Sequence, residues 1–224
     1  MLPERDQYVN IHAHRGPASK GEWVLRSLKS SDYPPDLDPS AAYSVGIHPW
    51  EIADRDVPNA LKKIRLAIEN SQVLAVGEVG LDSLTGAPAA LQMKVFEEQV
   101  KLAGKKNLPV IVHAVKTYQE LIGFSKSVRP TVPMIIHGFR GSLQLAEDLL
   151  KFGFYLSFGV SLLEADKVRE AFIGVPLEKV FLETDESEVP IGEIYRAAAE
   201  IRGIEVESLR LHMFEKASEI FSRR

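Results

Sequence analysis

The stretch VLAVGEVGLDSLTGAPAALQMKVFEEQVKLAGKKNLPVIVH, residues 73–113, contains the alternation that decides the fold of this chain. It opens with one short apolar run, Val73–Glu78, and closes with another, Pro109–His113. The segment between them repeats apolar residues at intervals of three and four, which is typical of an amphipathic helix. The residues of that repeat are Met93, Phe96, Val100 and Ala103. Two apolar strands joined by a helix indicate a parallel pair whose outer face is covered.

The same alternation continues in both directions along the chain. We predict six further strands, at Tyr8–His12, Trp23–Leu28, Tyr43–His48, Met134–His137, Phe154–Phe158 and Val180–Thr184. A C-terminal amphipathic helix is indicated by Val206, Leu209, Met213, Ala217 and Phe221. Right-handed crossovers can close eight parallel strands into a barrel. We therefore predict an α/β fold, a TIM-like (β/α)8 barrel, forming a single domain over residues 1–224.

The connection after the first strand is too short for the usual helix. Only about ten residues, Arg15–Val24, precede the core of the second strand, whereas a crossover usually needs a dozen or more. We expect the first outer helix to be deleted or reduced to a turn. The second strand, WVLRSL at residues 23–28, is also compatible with one turn of helix, and the proline-rich Ser30–Ser40 is predicted to be a surface loop.

Composition restricts the chemistry that the chain can carry. It has 224 residues, of which 45% are hydrophobic and 26% charged, and it has no cysteine. No apolar run is long enough for a membrane span and the first ten residues lack a signal-peptide core, so we expect a soluble, cytoplasmic protein. Without thiolates, any metal must be held by His, Asp or Glu. The formal net charge of −4 argues against a general nucleic-acid coat protein.

Histidines and carboxylates collect at the ends of the predicted strands. Five of the six histidines lie at or just past such an end. His12 and His14 are two residues apart, so they point to the same face of a strand. The other polar residues at strand ends are His48, Glu78, His113, His137 and Asp185. The carboxyl ends of parallel barrel strands share one rim, so together these residues favour a metal site, although a lone histidine there is more often structural. Asp82 is equally compatible with capping a turn and with contacting substrate.

The ordered motifs of the chain resemble those of the TatD-like metal-dependent hydrolases, in a short variant, within the amidohydrolase-type barrel superfamily. The matching pieces are His12-Ala-His14, GIHP at 46–49, GEVGLD at 77–82, LPVIVH at 108–113, HGFRG at 137–141, YLSFG at 155–159 and LETD at 182–185. They occur in family order and span most of the chain.

The resemblance implies two divalent ions, one held by His12, His14, Glu78 and Asp185. The second would be held by His113 and His137, with Glu78 bridging. Nitrogen and oxygen ligands suit Zn, Mn, Mg, Co or Ni. The implied reaction is phosphodiester hydrolysis through a bridging water, in several members deoxyribonuclease action from the 3′ end of DNA. The expected substrate is a small phosphodiester or a DNA end, with no obligate protein partner.

Further roles follow from position at the rim. We assign Asp185 as the base, together with Glu78 as the second catalytic carboxylate. Substrate contacts are assigned to His48, Lys116 and Arg140. Trp50, beside His48, could stack on a base, but a tryptophan in this position more often packs against the next helix.

The chain departs from the family pattern at three ligand-adjacent positions. Asn10 stands where the family usually has Asp, which we expect to weaken a bond to a ligand histidine. Val115, followed by Lys116, replaces an Arg, so a point charge replaces a bidentate group. Glu186 replaces a Pro after the final Asp. These changes leave the proposed metal ligands in place. They affect the expectation that the substrate is a nucleic acid.

Three alternatives stay open at the level of sequence. One is an amidohydrolase or lactonase on the same barrel, but such sites often use a carboxylated lysine where this chain has Glu78. Another is a phosphoesterase of the polymerase and histidinol phosphatase type, which normally ends in Asp-Xaa-His, a pattern that Asp185 does not begin. The third is a catalytically inactive metal-binding barrel protein.

Overall fold

Eight parallel strands form one sheet in chain order in the computed structural model, which describes residues 1–17, 21–32, 37–53 and 56–223. The strands are β1 Tyr8–Ala13, β2 Glu22–Lys29, β3 Ala42–Gly46, β4 Val73–Asp82, β5 Val110–Val115, β6 Met134–Ile136, β7 Phe154–Phe158 and β8 Val180–Leu182. Every neighbouring pair from β1 to β8 is parallel. All eight predicted strands are therefore confirmed, including β2, which is a strand of eight residues and not a helical turn.

Helices cover most of the outer face of the sheet. They are α1 Val57–Ala67, α2 Ala89–Lys106, α3 Tyr118–Val128, α4 Leu143–Lys151, α5 Ser161–Glu164, α6 Asp166–Gly174, α7 Ile191–Arg202 and α8 Val206–Ile220, with 3₁₀ turns at Pro49–Glu51 and Leu177–Lys179. The face of α2 that packs inward carries Phe96, Val100 and Ala103, as predicted, while Met93 is only partly buried against the core. Within the described ranges, none of these helices is both long and apolar enough to cross a membrane.

The sheet closes into a barrel where the last strand, β8, lies beside the first, β1. Ala13 and Asp185 form a parallel bridge, and the Asp185 N–H donates to the His12 carbonyl at 3.0 Å. Beside this seam the Asn10 side chain accepts from the Thr184 N–H at 3.1 Å and donates to its hydroxyl at 2.8 Å. The closure therefore places the ends of β1 and β8 side by side.

The first outer helix is reduced, as expected. Only eight residues, 14–21, separate β1 from β2, and those that are described, 14–17 and 21, contain no helix. The connection from β2 to β3 likewise has no helix in its described residues, 30–32 and 37–41, while residues 33–36 of the predicted loop lie outside the description. The C-terminal helix compensates, because Phe221, directly after α8, packs its ring 5.8 Å from that of the buried Trp23 on β2.

β4 extends further than predicted, to Asp82, so Glu78 lies inside the strand and not at its end. Gly80 makes this possible. It adopts φ +155°, and a Cβ there would lie 2.0 Å from the His113 carbonyl oxygen. Since only glycine allows so close an approach, β4 and β5 continue to pair as far as Asp82 and Val115.

Candidate metal centre

The structure brings all six predicted ligand side chains together, with Glu78 at their centre. This carboxylate is 6% exposed, and its two oxygens face different groups of histidines. Oε2 lies 3.4 Å from His12 Nε2 and 3.6 Å from His14 Nε2. Oε1 lies 2.7 Å from both His113 Nδ1 and His137 Nε2. The side chain thus stands at the centre of groups of histidines and carboxylates that could hold a metal ion.

The first group consists of His12, His14 and Asp185, and it lies where the ends of β1 and β8 meet. Asp185 Oδ1 lies 3.4 Å from His12 Nε2 and 3.4 Å from His14 Nε2. Asp185 adopts φ +54°, a left-handed conformation that Asp tolerates better than most residues. His12 is fully buried, and neither of its ring nitrogens has a hydrogen-bond partner among the described residues. Its Nε2 lies 3.4 Å from an oxygen of Glu78 and an oxygen of Asp185 without forming a hydrogen bond to either, and a cation shared by these three groups fits this position.

The second group is oriented by two further carboxylates. His113 Nε2 lies 3.3 Å from Asp82 Oδ2, and His137 Nδ1 lies 3.4 Å from Glu183 Oε1. A carboxylate beside one ring nitrogen favours the proton there. With a cation beside Glu78 Oε1, Asp82 and Glu183 would therefore favour protons on the far ring nitrogens, and His113 Nδ1 and His137 Nε2, which lie 3.4 Å apart, would turn their lone pairs to that cation. These two nitrogens and Glu78 Oε1 could together hold one cation.

The pKa values of the clustered histidines and of Glu78 are shifted because these groups lie so close together. Burial and His137 oppose protonation of His12, but Asp185 and Glu78 outweigh them and raise the pKa of His12 to about 9. Burial likewise disfavours charge on His137, whereas Glu78 and Glu183 hold the pKa of His137 well above its usual value. Burial would raise the pKa of Glu78, but His137, His113 and His12 hold that pKa well below the ordinary range. In the absence of cations, protons on the imidazoles neutralise the carboxylates.

His48, predicted to contact substrate, lies within the cluster itself. Its Nε2 is 3.2 Å from Glu78 Oε1 and 3.3 Å from His113 Nδ1. Its Nδ1 accepts the Trp50 backbone N–H at 3.2 Å. A neutral His48 therefore carries its proton on Nε2 and acts as a donor at this position, whereas a ligand would need a lone pair there.

The other predicted substrate residues differ in position. Arg140 is exposed and lines a cavity of about 580 Å³ together with His137 and Asp185. Lys116 is also exposed, directly after β5, but it lines neither that cavity nor the one of about 250 Å³ above Glu78. The structure therefore brings Arg140 to the site and leaves Lys116 at its periphery.

The Asn10 side chain forms its hydrogen bonds with groups other than the histidines of the cluster, and the expected weakening of a bond to a ligand histidine stays a prediction. The Asn10 amide donates to Glu22 Oε1 at 2.9 Å as well as to Thr184. The side chain is 1% exposed. It therefore fixes the seam that carries His12 and Asp185, and it acts on the site through the backbone.

Two carboxylates face histidines of the cluster in a way that was not predicted. Asp82 fills one of its two suggested roles, because Oδ1 accepts the Leu84 N–H of the following turn at 2.7 Å, while its Oδ2 faces His113. Glu183 is fully buried, and its Oε1 accepts the Gly138 N–H at 2.7 Å. A signal for Glu183 was present, since it lies two residues before Asp185 and period-two alternation points both to one face.

Trp50 is also placed differently from the expectation. It does not pack under the next helix, since its side chain is 62% exposed. Its Nε1 donates to Asp82 Oδ2 at 2.6 Å, and its ring meets the His48 ring edge-on at 4.8 Å between centroids. The indole stands at the mouth of the cluster.

Comparison with known proteins places this site in a family. The model of the family described as "TatD related DNase" matches residues 22–222. An "Uncharacterized metal-dependent hydrolase" of Haemophilus influenzae is 31% identical over 202 residues, covering 80% of this chain and 77% of the relative. The Escherichia coli relative YjjV, also named an uncharacterized metal-dependent hydrolase, is 34% identical over 182 residues, covering 78% of this chain and 68% of the relative.

The fold agrees with these relatives. The solved structure of the TatD homologue YjjV from Escherichia coli superposes with a TM-score of 0.82 and 22% identity, covering 97% of this chain and 99% of that chain. The match by family model extends over most of the sequence and includes Glu78, His113, His137 and Asp185. With its parallel barrel and its rim of histidines and carboxylates, the chain belongs to the TatD-related DNase family.

Proposed function

We propose that this chain is a phosphodiesterase that holds two divalent ions and acts on DNA ends or small phosphodiesters. The observation that supports the proposal is that the two carboxylate oxygens of Glu78, Oε1 and Oε2, face separate sets of imidazoles. A relative from Schizosaccharomyces pombe, named "Deoxyribonuclease Tat-D", supports DNA as substrate and is 32% identical over 120 residues, 52% of this chain and 38% of that protein.

The ligands divide into two sets. His12, His14 and Asp185 would hold one ion, His113 and His137 the other, and Glu78 both. Divalent ions bound there would supply Lewis-acid activation of water and of the phosphoryl oxygen. Nitrogen and oxygen donors without sulfur suit Zn, Mn, Mg, Co or Ni.

Asp185 is the residue that receives the proton of the attacking water. It is about 40% exposed and lines both cavities at the rim. Burial opposes its ionisation, but His12 and His14 hold the pKa of Asp185 below its usual value, so it is ionised at neutral pH. Because Oδ1 faces those imidazoles, the other oxygen is available to accept a proton from the cavity.

Substrate contacts are few on this surface. Arg140 lines the larger cavity and is placed to bind non-bridging phosphate oxygens. The same cavity is also lined by Glu164, Glu183 and Glu186, and these carboxylates disfavour a long polyanion. We therefore propose that only a terminal segment of nucleic acid enters, which agrees with an exonuclease acting from the 3′ end.

The test starts from protein stripped of metal and reloaded separately with Zn, Mn, Mg, Co or Ni. Substrates are bis-p-nitrophenyl phosphate, a carboxylic ester and lactone panel, and 3′-tailed DNA labelled at its 5′ end. We expect phosphodiester turnover that needs added metal, and a ladder of products shortened from the 3′ end. Hydrolysis of the esters or lactones alone would replace this proposal with the amidohydrolase alternative, and cleavage of circular single-stranded DNA would exclude a strict exonuclease.

The variant Asp185→Asn distinguishes turnover at this site from turnover by a contaminating nuclease. Loss of the proton acceptor and of one ligand is expected to lower kcat by about 10² to 10⁴. Glu186→Gln is the matched control, because it removes one charge from the same cavity at an exposed neighbouring position. Equal turnover by wild type and Asp185→Asn would overturn the assignment.

A further inference from the structure

Trp50 is a large aromatic side chain that the fold holds in solvent beside the ligand cluster. It belongs to the 3₁₀ turn Pro49–Glu51 after β3, and 62% of its side chain is exposed. The other tryptophan, Trp23, is buried beneath α8. Burying an indole contributes substantially to stability, so an exposed one at the mouth of a site calls for another reason.

The indole is fixed in place even though its faces are accessible. Its single polar atom, Nε1, donates to Asp82 Oδ2 at 2.6 Å, and Asp82 is 2% exposed. The Trp50 backbone N–H donates to His48 Nδ1. A ring tethered at its edge and at its main chain loses little entropy when a ligand packs on it. The Asp82 bond thus orients the ring and leaves most of its surface open.

Trp50 also forms a wall of the cavity that leads to the ligands. This cavity, of about 250 Å³, has His14, Glu78, His113, His137 and Asp185 among its lining residues. Lys29, at the end of β2, lines the same cavity. The space thus combines an aromatic surface and an ammonium group next to the position of the hydrolysed phosphate.

An aromatic face beside a cation is how proteins bind unpaired nucleotides, by stacking the base and neutralising the phosphate. We infer that Trp50 is a stacking platform for an unpaired nucleobase next to the hydrolysed phosphodiester, with Lys29 contacting the phosphate group. This inference rests on the proposed function and narrows its substrate class to single-stranded or frayed ends. The recognition chemistry is the same for DNA and RNA, so deoxyribose and ribose substrates form separate arms of the test.

The experiment compares dinucleotides that carry both bases with the two isomers in which one residue is abasic. The ratio of kcat/KM for base-bearing over abasic substrate is the readout, because a change in the metal ligands alters both rates alike. In the wild type we expect a ratio of about ten for one of the isomers, within the range that base–aromatic stacking supplies. In Trp50→Ala the ratio falls to about one, and in Trp50→Phe, which keeps a ring but loses the Asp82 bond, it is intermediate.

Two variants serve as controls. Leu66→Ala removes an equally exposed apolar side chain, 62%, from α1 and is expected to leave the ratio at its wild-type value. Lys29→Gln is expected to lower kcat/KM for all dinucleotides by about three- to tenfold, without changing the ratio. A wild-type ratio of one for both abasic isomers overturns the platform while phosphodiester hydrolysis stands, and unchanged rates in Lys29→Gln overturn the role of that lysine.

A binding measurement keeps the inference testable if no phosphodiester is cleaved. Intrinsic fluorescence comes from two tryptophans, of which Trp23 is buried, so quenching by thymidine dinucleotide in EDTA reports on Trp50. We expect saturable quenching that is lost in Trp50→Ala and weaker with the abasic isomer. Quenching that is absent, or equal with both, overturns the inference independently of catalysis.

Discussion

Glu183→Gln tests how the site sets the orientation of His137. Glu183 is fully buried, and its Oε1 accepts the Gly138 N–H at 2.7 Å while lying 3.4 Å from His137 Nδ1. With a cation bound beside Glu78, the negative charge of Glu183 would favour the proton on Nδ1 and leave the lone pair of Nε2, which is 2.7 Å from Glu78 Oε1, for that cation. Removing that charge weakens the donor strength of the imidazole towards a cation.

The expected loss of metal affinity follows from the interaction that glutamine retains. Its carbonyl oxygen can still accept the Gly138 N–H, so the backbone stays in place and only the charge is lost. Substitution of a carboxylate behind a ligand histidine typically costs 10- to 100-fold in metal affinity. We expect the lower end, about tenfold, or about 1.4 kcal/mol. Glu183→Ala also removes the acceptor, so about 100-fold and a lower melting temperature are expected.

The assay is competition for Zn or Mn against a chromogenic chelator at pH 8. Glu164→Gln is the control, because Glu164 is an exposed acid that lines the same cavity. We expect that control to change affinity by less than about twofold. The loss in Glu183→Gln should be confined to one of two ions. Equal losses in both variants, or equal weakening of both ions, would refute the argument that Glu183 acts through His137.

Two further predictions concern protons and the barrel seam. In metal-free protein the pKa of His12 is raised to about 9, so protonated His12 stabilises the fold by about 3 kcal/mol below pH ~6.5, and this contribution is lost as pH rises through 9. The melting temperature in EDTA should therefore fall from pH 7 to 10. The stabilisation by added metal should grow over the same range, because ligand histidines must be deprotonated. A metal-free melting temperature that does not change with pH would contradict this. Asn10→Asp, which removes both amide donors and sets a carboxylate against Glu22 Oε1, should destabilise the protein by about 3 kcal/mol in urea unfolding. Glu22→Gln should rescue that variant, and an unimpaired Asn10→Asp would show that the pair is not coupled.

The barrel and the composition of the site were predictable because each rests on local sequence. Apolar runs of strand length mark the strands, and a polar residue closing such a run, as His113 does, must lie at the rim of a parallel sheet. No pairing between distant residues needs to be known for this. The prediction of a reduced first outer helix likewise needed only the length of the segment Arg15–Val24.

What the sequence could not supply depends on contacts between distant residues. The extension of β4 to Asp82 depends on Gly80 lying against the His113 carbonyl, which no local pattern reports. The same applies to Asn10, whose partners Glu22 and Thr184 lie 12 and 174 residues away. Side-chain amides and carboxylates take whatever partner the closed barrel presents, so their roles emerge only with the fold.

Asp82 connects a proposed metal ligand, His113, with the proposed stacking residue Trp50. Its Oδ2 faces both His113 Nε2 and Trp50 Nε1, while Oδ1 accepts the Leu84 N–H. One buried carboxylate therefore contacts both a proposed ligand histidine and the exposed indole, whose orientation it fixes. A ligand that displaces the indole would remove one of the two groups at Oδ2, and a cation bound at His113 Nδ1 would strengthen Nε2–H as a donor to the same oxygen. If both proposals hold, cation binding at His113 and ligand binding on Trp50 are expected to influence each other through this single side chain.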